Sequence, residues 1–359
     1  MSKFDIAAFK RALAAAQATR RDDSKVLREA DAAEGAQRLK NRQAVAQVLK
    51  PFLTKAGLDV DKLDKVLAQN QNELRKTFEH QKAAVAKHSS RERDAFRHAV
   101  ELGYEAAQHL AKLAAAGAAG GFGGLASLVT LTTPLMITEW PQPDDQLKAS
   151  VIQPLNSYAK IFVDIPVYGF DNNNGSDSRE FSFYFSWENQ TGYLSVVKVF
   201  SVLSLDGACE VAANSGFFSG DNMNLTLDAW LYPIQSWLPI PSGGDLRDLR
   251  VRGDPLQNQR ALNLSAQGPG GQLFGAGPDY EHRVFSATPY GVSYETFGGL
   301  EIPAAATALF EVNLTMRWEW HGNVLPDEIK ADFADDNLHY YVGCPLVVLE
   351  FLTAPPALA

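Results

Sequence analysis

Along the first 115 residues apolar side chains recur every three or four positions, and beyond Trp140 they alternate one by one with polar ones. The first spacing is that of an amphipathic helix and the second that of a half-buried strand. Phe4, Phe9 and Leu13 predict a short helix. A second is expected from about Ser24 to Lys50, with Leu27, Val45, Val48 and Leu49 on its apolar side and Pro51 and Gly57 as punctuation. A third segment, from Asp59 to about Ala116, has no proline and one glycine.

That third segment carries a longer period. Leu63, Leu74, Val85, Phe96 and Ala107 stand eleven apart, and so do Leu67, Phe78, Ser89, Val100 and Ala111. Eleven residues make almost three whole turns, so both rows stay on one helix face. An unbroken helix over this segment would be about 87 Å long. A helix of that length needs a partner to bury its stripe. One solution is a coiled stalk, with Leu63, Leu67, Leu74, Phe78, Val85, Phe96 and Val100 as oligomerisation positions. The other is a compact bundle broken at His88-Ser89-Ser90.

The β-like runs are Leu128–Ile137, Ala159–Tyr168, Glu180–Glu188, Leu194–Leu205, Met223–Tyr232, Leu309–Trp320 and His339–Leu352. They are rich in β-branched and aromatic residues and are bounded by Gly, Asn, Asp and Pro. Phe181, Phe183 and Phe185 share one face of their strand, and Leu225, Leu227 and Ala229 share one face of theirs. The fold class expected is α+β with the two kinds segregated: a long α-helical, coiled-coil region over 1–115, an uncharged Gly/Ala-rich linker over 116–140 leading into the first strand, and an antiparallel β-sandwich of jelly-roll type over 141–359. Asn174-Gly175 reads as a hairpin turn, and Pro239–Gly277 as one long glycine-rich loop.

Composition sharpens the division. Residues 1–112 hold 22 Lys and Arg against 15 Asp and Glu, a balance of +7, and the remainder holds 11 against 27, a balance of −16. Only three of the 27 glycines and one of the 18 prolines precede residue 113, while all six tryptophans follow it. A uniform α/β enzyme would mix these throughout. The basic third alternates its charges as a solvated helix face does, and it shows no helix-turn-helix, zinc finger or aromatic-interleaved patch, so no nucleic-acid partner is expected. Leu113–Thr138 is 26 residues without a charge. Gly117/Gly121 and Gly120/Gly124 in it form small-xxx-small pairs suited to helix packing or to a membrane-inserting segment. The N-terminus lacks an apolar core of signal-peptide length, so the expected compartment is the cytoplasm, or release by lysis or another non-Sec route.

Little in the chain points to catalysis. No nucleophile elbow, zincin helix, P-loop or Cys pair at metal spacing is present, and neither a metal nor a cofactor is expected. Asp171–Ser178 misses the spacing of an EF-hand loop. His80, His88, His98 and His109 are eight to eleven apart, which is wrong for one metal on one helix. Glu180, Glu188, Glu210, Glu295 and Glu301 include no pair that spacing selects for glycoside hydrolysis. Cys209 and Cys344 sit in apolar runs, as buried side chains do. Trp318 and Trp320 share one strand face, the arrangement of a core pair and also of a platform that stacks on sugar rings.

Three functions follow as expectations. The leading one is a non-enzymatic, self-assembling structural or adhesive protein, a homo-oligomer through its helices with the β-sandwich as partner-facing head. The others are a pore-forming or membrane-active toxin using 113–138, and a carbohydrate-binding β-sandwich with a glycan partner at Trp318 and Trp320. A helical region followed by a β head is shared by fibre proteins, capsid proteins and some toxins, an analogy of architecture only.

Overall fold

The structure, a computed structural model, describes residues 44–85, 128–140, 151–153, 158–167, 174–213, 215–218, 220–240, 246–269, 278–296, 298–321, 327–335, 338 and 340–352. Among them are two helices, α1 (44–55) and α2 (60–85), and fourteen strands. Phe96, Val100, Gly117, Gly120, Gly121 and Gly124 lie outside the described residues, as does most of the long helix expected after Asp59.

α1 runs through Pro51, where a stop was expected, and ends four residues later. Its terminus is a Schellman motif: Leu58 N–H donates to the Leu53 carbonyl (3.0 Å) and Gly57 N–H to the Thr54 carbonyl (3.1 Å). Gly57 has φ +88°, a conformation that costs glycine nothing. The Asp59 carboxylate then caps α2 by accepting the Lys62 N–H (3.0 Å).

The strands form two antiparallel sheets. Sheet A has nine strands: β1 (Leu128–Leu131), β3 (Val151–Gln153), β4 (Tyr158–Val167), β6 (Ser195–Ala212), β9 (Tyr280–Tyr294), β10 (Leu300–Ile302), β12 (Asp327–Phe333), β13 (Tyr341–Gly343) and β14 (Val347–Phe351). Sheet B has five: β2 (Met136–Trp140), β5 (Asn174–Glu188), β11 (Thr307–His321), β7 (Asn222–Ile234) and β8 (Asn258–Gln267), in that spatial order. β6 is the spine of sheet A. β9 and β10 follow one of its edges, and β12, β13 and β14 succeed one another along the opposite edge. The sets β4-β12-β6-β9 and β5-β11-β7-β8 face each other with the connectivity of a jelly roll.

One apolar core lies between the sheets. Phe181, Phe183 and Phe185 of β5 meet Leu225, Leu227, Ala229 and Leu231 of β7 and the even-numbered positions 308–320 of β11. Sheet A closes it with Val197, Val199, Leu203, Leu205, Cys209 and Val211 of β6 and with Phe285, Ile329 and Phe333. Gly207 admits a close crossing, since a Cβ there would overlap the Phe333 ring and the Asp332 carbonyl. Cys209 and Cys344 are both free and fully buried, and burial pushes the Cys344 thiol up to about 12.

α2 lies on the outward face of sheet A. Its apolar row is the one expected from the sequence, and it packs on the chain's own sandwich. Leu74 and Phe78 join Ala208, Ala212, Tyr280, Val284, Leu338 and Tyr340, and Phe78 is 1% exposed. Leu63, Leu67 and Val85 continue the same face, half-buried. Gln71 donates to the carbonyls of Ala213 (2.8 Å) and Asp279 (3.2 Å), and Arg75 pairs with Glu328 (3.2 Å). No helix among the described residues is long and apolar enough to cross a membrane.

Three local expectations are corrected. The run Leu128–Ile137 is two strands in different sheets, because Pro134 cannot continue a ladder. Asn174 and Gly175 are not a hairpin turn but the first residues of β5, opposite His321 and Trp320. The supposed long loop after Pro239 contains β8, whose Leu262, Leu264 and Ala266 alternate into the core.

Candidate functional site

Trp318 and Trp320 do share a face, but it is the inner one. They are 2% and 8% exposed and belong to the core, so neither presents a ring to a ligand. The outward face of β7 carries another aromatic pair, Trp230 with Tyr232, of which Tyr232 is buried and Trp230 reaches solvent. Their rings lie nearly parallel (12°) with centroids 5.5 Å apart, and Trp230 is half-buried.

The outward face of sheet B surrounds this pair. Register sets Tyr232 beside Glu311, Trp230 beside Asn313, Asp228 beside Thr315 and Thr226 beside Arg317. On the other side of β11, Tyr184, Ser182, Glu180 and Ser178 stand opposite Glu311, Asn313, Thr315 and Arg317. This face falls into three zones. At one end Met136, Tyr184, Ile234 and Leu309 form a small apolar cluster closed by Leu135 and Leu249. Next comes a buried polar network. Farther along, Thr226, Asn224 and Ser178 are half-buried, while Arg317, Glu319, Ser176, Arg260, Asn263 and Ser265 are exposed.

The network centres on Glu311, which is wholly buried. Its carboxylate accepts from Ser182 Oγ (2.7 Å), Tyr184 Oη (2.9 Å), Arg250 Nε (2.7 Å) and Arg250 Nη2 (2.6 Å). Asn313 Nδ2 donates to Ser182 Oγ (2.9 Å), and Thr315 Oγ1 donates to Asn313 Oδ1 (2.7 Å). A two-pronged Arg–carboxylate contact fixes both orientation and distance. Backbone pairing delivers Arg250 to this place, since Arg250 bridges Ile234 and Val251 N–H donates to the Pro233 carbonyl (2.8 Å). The 3-10 turn Leu246–Leu249 just before it brings Arg247 to within 3.9 Å of Glu180.

The electrostatics hold the groups in one state. Burial, joined by the Glu311 charge, pushes the Tyr184 hydroxyl well above its ordinary range, so it remains a donor. Burial alone would lower Arg250, but the charge and hydrogen bonds of Glu311 raise it overall. Tyr232 is pushed up to about 12 by burial, with Arg250 and Arg252 pulling back. Arg250 lies 4.4 Å over the Tyr232 ring and Arg252 5.6 Å from it, a cation–π arrangement that leaves Trp230 as the exposed end of the stack. Arg260 pairs with the buried Asp228.

Elsewhere, between β8 and β9, lies an open cleft of about 510 Å³ lined by Leu262, Asn263, Leu264, Glu281, His282 and Arg283 among others. Part of its wall is already engaged. Glu281 accepts the Ser265 N–H (2.8 Å), and His282 Nε2 lies 2.9 Å from Gln81 Oε1 with its ring 4.6 Å from Phe78. Desolvation lowers the His282 pKa, with Glu210 opposing. No cluster of His, Cys, Asp or Glu suited to a metal exists among the described residues. Of the carboxylates considered for hydrolysis, Glu210 is buried and accepts from Tyr280 Oη (2.6 Å), and Glu180 stands beside the arginines of sheet B.

Trp230, Tyr232, Arg250 and Glu311 were not singled out from the sequence, although the signal was there. Placing Leu225, Leu227 and Ala229 on one face leaves Thr226, Asp228, Trp230 and Tyr232 on the other.

No protein-family model matches the chain, and no curated protein matches it. Among solved structures, it overlaps the xylan-binding module CBM15 at 6% identity over 64% of this chain and 98% of that one, with a TM-score of 0.21. It overlaps CBM27-1 of Caldicellulosiruptor saccharolyticus, solved with mannohexaose, at 12% identity over 57% and 93%, with a TM-score of 0.20. An adhesin domain of Lys-gingipain from Porphyromonas gingivalis w83 overlaps at 8% identity over 62% and 98%, also with a TM-score of 0.20. Likeness at this TM-score carries no argument, so a functional reading rests on the chain's own residues.

Proposed function

We propose that the β-sandwich is a non-catalytic glycan-binding head whose site is the outward face of sheet B. The observation that carries the reading is Trp230, half-buried and stacked on Tyr232, on a face whose accessible part offers hydroxyl, amide, guanidinium and carboxylate groups. A sugar ring offers a C–H face to an aromatic plane and a rim of hydroxyls to planar polar side chains, and this face supplies both. The network around Glu311 keeps the strands' side chains in fixed geometry, which reduces the ordering cost of binding. The same network speaks for binding rather than hydrolysis, because Glu311 is held by Ser182, Tyr184 and Arg250 and faces no open water site. The test is affinity electrophoresis of the full chain against a panel of soluble polysaccharides. Retardation by at least one, abolished in Trp230→Ala and retained in Trp318→Phe, is expected. A panel with no retardation overturns the reading.

Self-association is a second reading, favoured by α1. Its apolar stripe Val45, Val48, Leu49 and Phe52 is exposed, Phe52 at 65%. The occupant is a second copy, since the helical third at +7 and the β region at −16 attract one another between molecules. Light scattering on the full chain tests it. A mass above 39.2 kDa, reduced in Val48→Glu/Phe52→Glu, is expected, and a strict monomer at micromolar concentration removes it.

A further inference from the structure

The cations of the β region are unevenly placed. Residues 113–359 contain only 11 Lys and Arg, and five of them, Arg247, Arg250, Arg252, Arg260 and Arg317, gather on or over the outward face of sheet B. None of the five is a lysine. Arg247 and Arg250 are spent internally on Glu180 and Glu311. Arg252, Arg260 and Arg317 are exposed. Arg260 keeps half of its side chain in solvent (52%) while contacting Asp228, and Arg317 makes no ion pair among the described residues.

These three follow the line of β7. Arg252 stands at the Tyr232 ring, Arg260 is opposite Asp228, and Arg317 is opposite Thr226. Tyr232 and Thr226 are six residues apart, or about 20 Å of extended strand. The half-exposed ring of Trp230 lies between the first two arginines. An alternation of guanidinium and aromatic plane over that length suits a polymer of rings that also carries anions. Arginine rather than lysine suits it further, because the planar fork takes a carboxylate or sulfate through two parallel hydrogen bonds.

We propose that this face selects acidic glycans, chains whose sugar units carry carboxylate or sulfate groups, with Arg317, Arg260 and Arg252 as the anion-binding side chains on either side of Trp230. The inference rests on the glycan-binding reading and narrows its ligand class. The acidic remainder of the β region opposes a polyanion at long range, so contact depends on the local arginines and is salt-sensitive. Glu319, exposed beyond Arg317, and Glu180, behind Arg250, bound the anion-binding stretch at its two sides.

The experiment is calorimetric titration of the full chain with four probes: polygalacturonate for carboxylate, chondroitin sulfate for sulfate, unsubstituted xylan as a neutral chain, and a single-stranded oligonucleotide. At least one acidic glycan is expected to bind about ten-fold tighter than xylan. Arg317→Ala is expected to lose about ten-fold of that affinity, the size of one charged hydrogen bond. Arg317→Lys is expected to recover part of it, and the melting temperature to stay unchanged, because Arg317 is exposed. The better of the two acidic probes identifies the anion. Xylan bound as tightly as either, with no response to Arg317→Ala, overturns the acidic selectivity and leaves glycan binding standing. An oligonucleotide bound as tightly as the acidic glycans overturns glycan selection itself, and silence from all four probes removes both proposals.

Discussion

On sheet A the outward positions Ala208, Ala212, Tyr280 and Val284 are small or apolar, and α2 lies across them with Leu74 and Phe78. On sheet B the outward positions Ser182, Asn313, Thr315, Asp228 and Glu311 are polar, and their hydrogen bonds run sideways along the sheet. Both faces come from strands with the same period. The contrast lies in what a face offers a covering element. An amphipathic helix gains by burying its stripe on apolar area, about 25 cal/mol for each Å² removed from water, and gains nothing by covering groups that must keep their partners. Sheet A thereby acquires a lid from its own chain, while sheet B retains an accessible half around Trp230.

The sharpest way to break that contrast is Glu311→Ala. It removes both hydrogen-bonded contacts of the buried Arg250 and leaves only Glu180, 3.7 Å away, as counter-charge, and a loss of about 3 kcal/mol of stability is expected in chemical denaturation. A loss below about 1 kcal/mol would mean that the network does not support sheet B. Phe78→Ala acts on the other face and is expected to cost about 3 kcal/mol, the lower end for removing a fully buried phenyl ring. Hydrogen exchange should then rise at Tyr280–Val284, with glycan retardation unchanged; a loss of retardation would show that the faces are coupled. Trp230→Ala inverts the pattern, with stability within about 1 kcal/mol of the parent and binding lost.

The smallest expected effect is on pH. Desolvation against α2 holds the His282 pKa below the ordinary 6.5. The unfolded chain therefore takes up this proton before the folded chain does, so stability falls as pH drops below about 6.5 and is at its full value above it. Glu210 faces the ring and opposes the shift, and from α2 the cations Arg75 and Lys82 lie over the neighbouring Tyr280 and Phe78 rings. His282→Gln should flatten the dependence of the denaturation midpoint on pH between about 5 and 7, and only slightly, because solvent screens the partly exposed ring. An unchanged slope would place the acid sensitivity elsewhere.

Much of the architecture is legible along the chain because it depends on period alone. The parity of β11 set Trp318 and Trp320 together, and the parity of β7 set Leu225, Leu227 and Ala229 together. The apolar row of α2 was visible through Leu63, Leu67, Leu74 and Phe78. What period does not convey is which side of a strand faces the core. The shared face of Trp318 and Trp320 is equally compatible with a core pair and with a stacking platform, and the outward pair Trp230 and Tyr232 went unnoticed. Edge strand β8 was absorbed into a loop because its flanks are rich in glycine and proline, although its alternation was intact. Asn174-Gly175 carried a turn signal that loses to the ladder with β11.

The sequence by itself determined that helix precedes sheet, that the sheets are antiparallel, and that one stripe of the helix must be buried, since these follow from side-chain spacing and backbone propensity. Only the tertiary structure decided that the stripe meets sheet A, that Trp318 points inward while Trp230 points outward, and that Glu311 finds Arg250 from a segment 61 residues away. Those outcomes depend on packing between distant parts of the chain, where a period-2 strand has two equivalent faces until another layer chooses one of them.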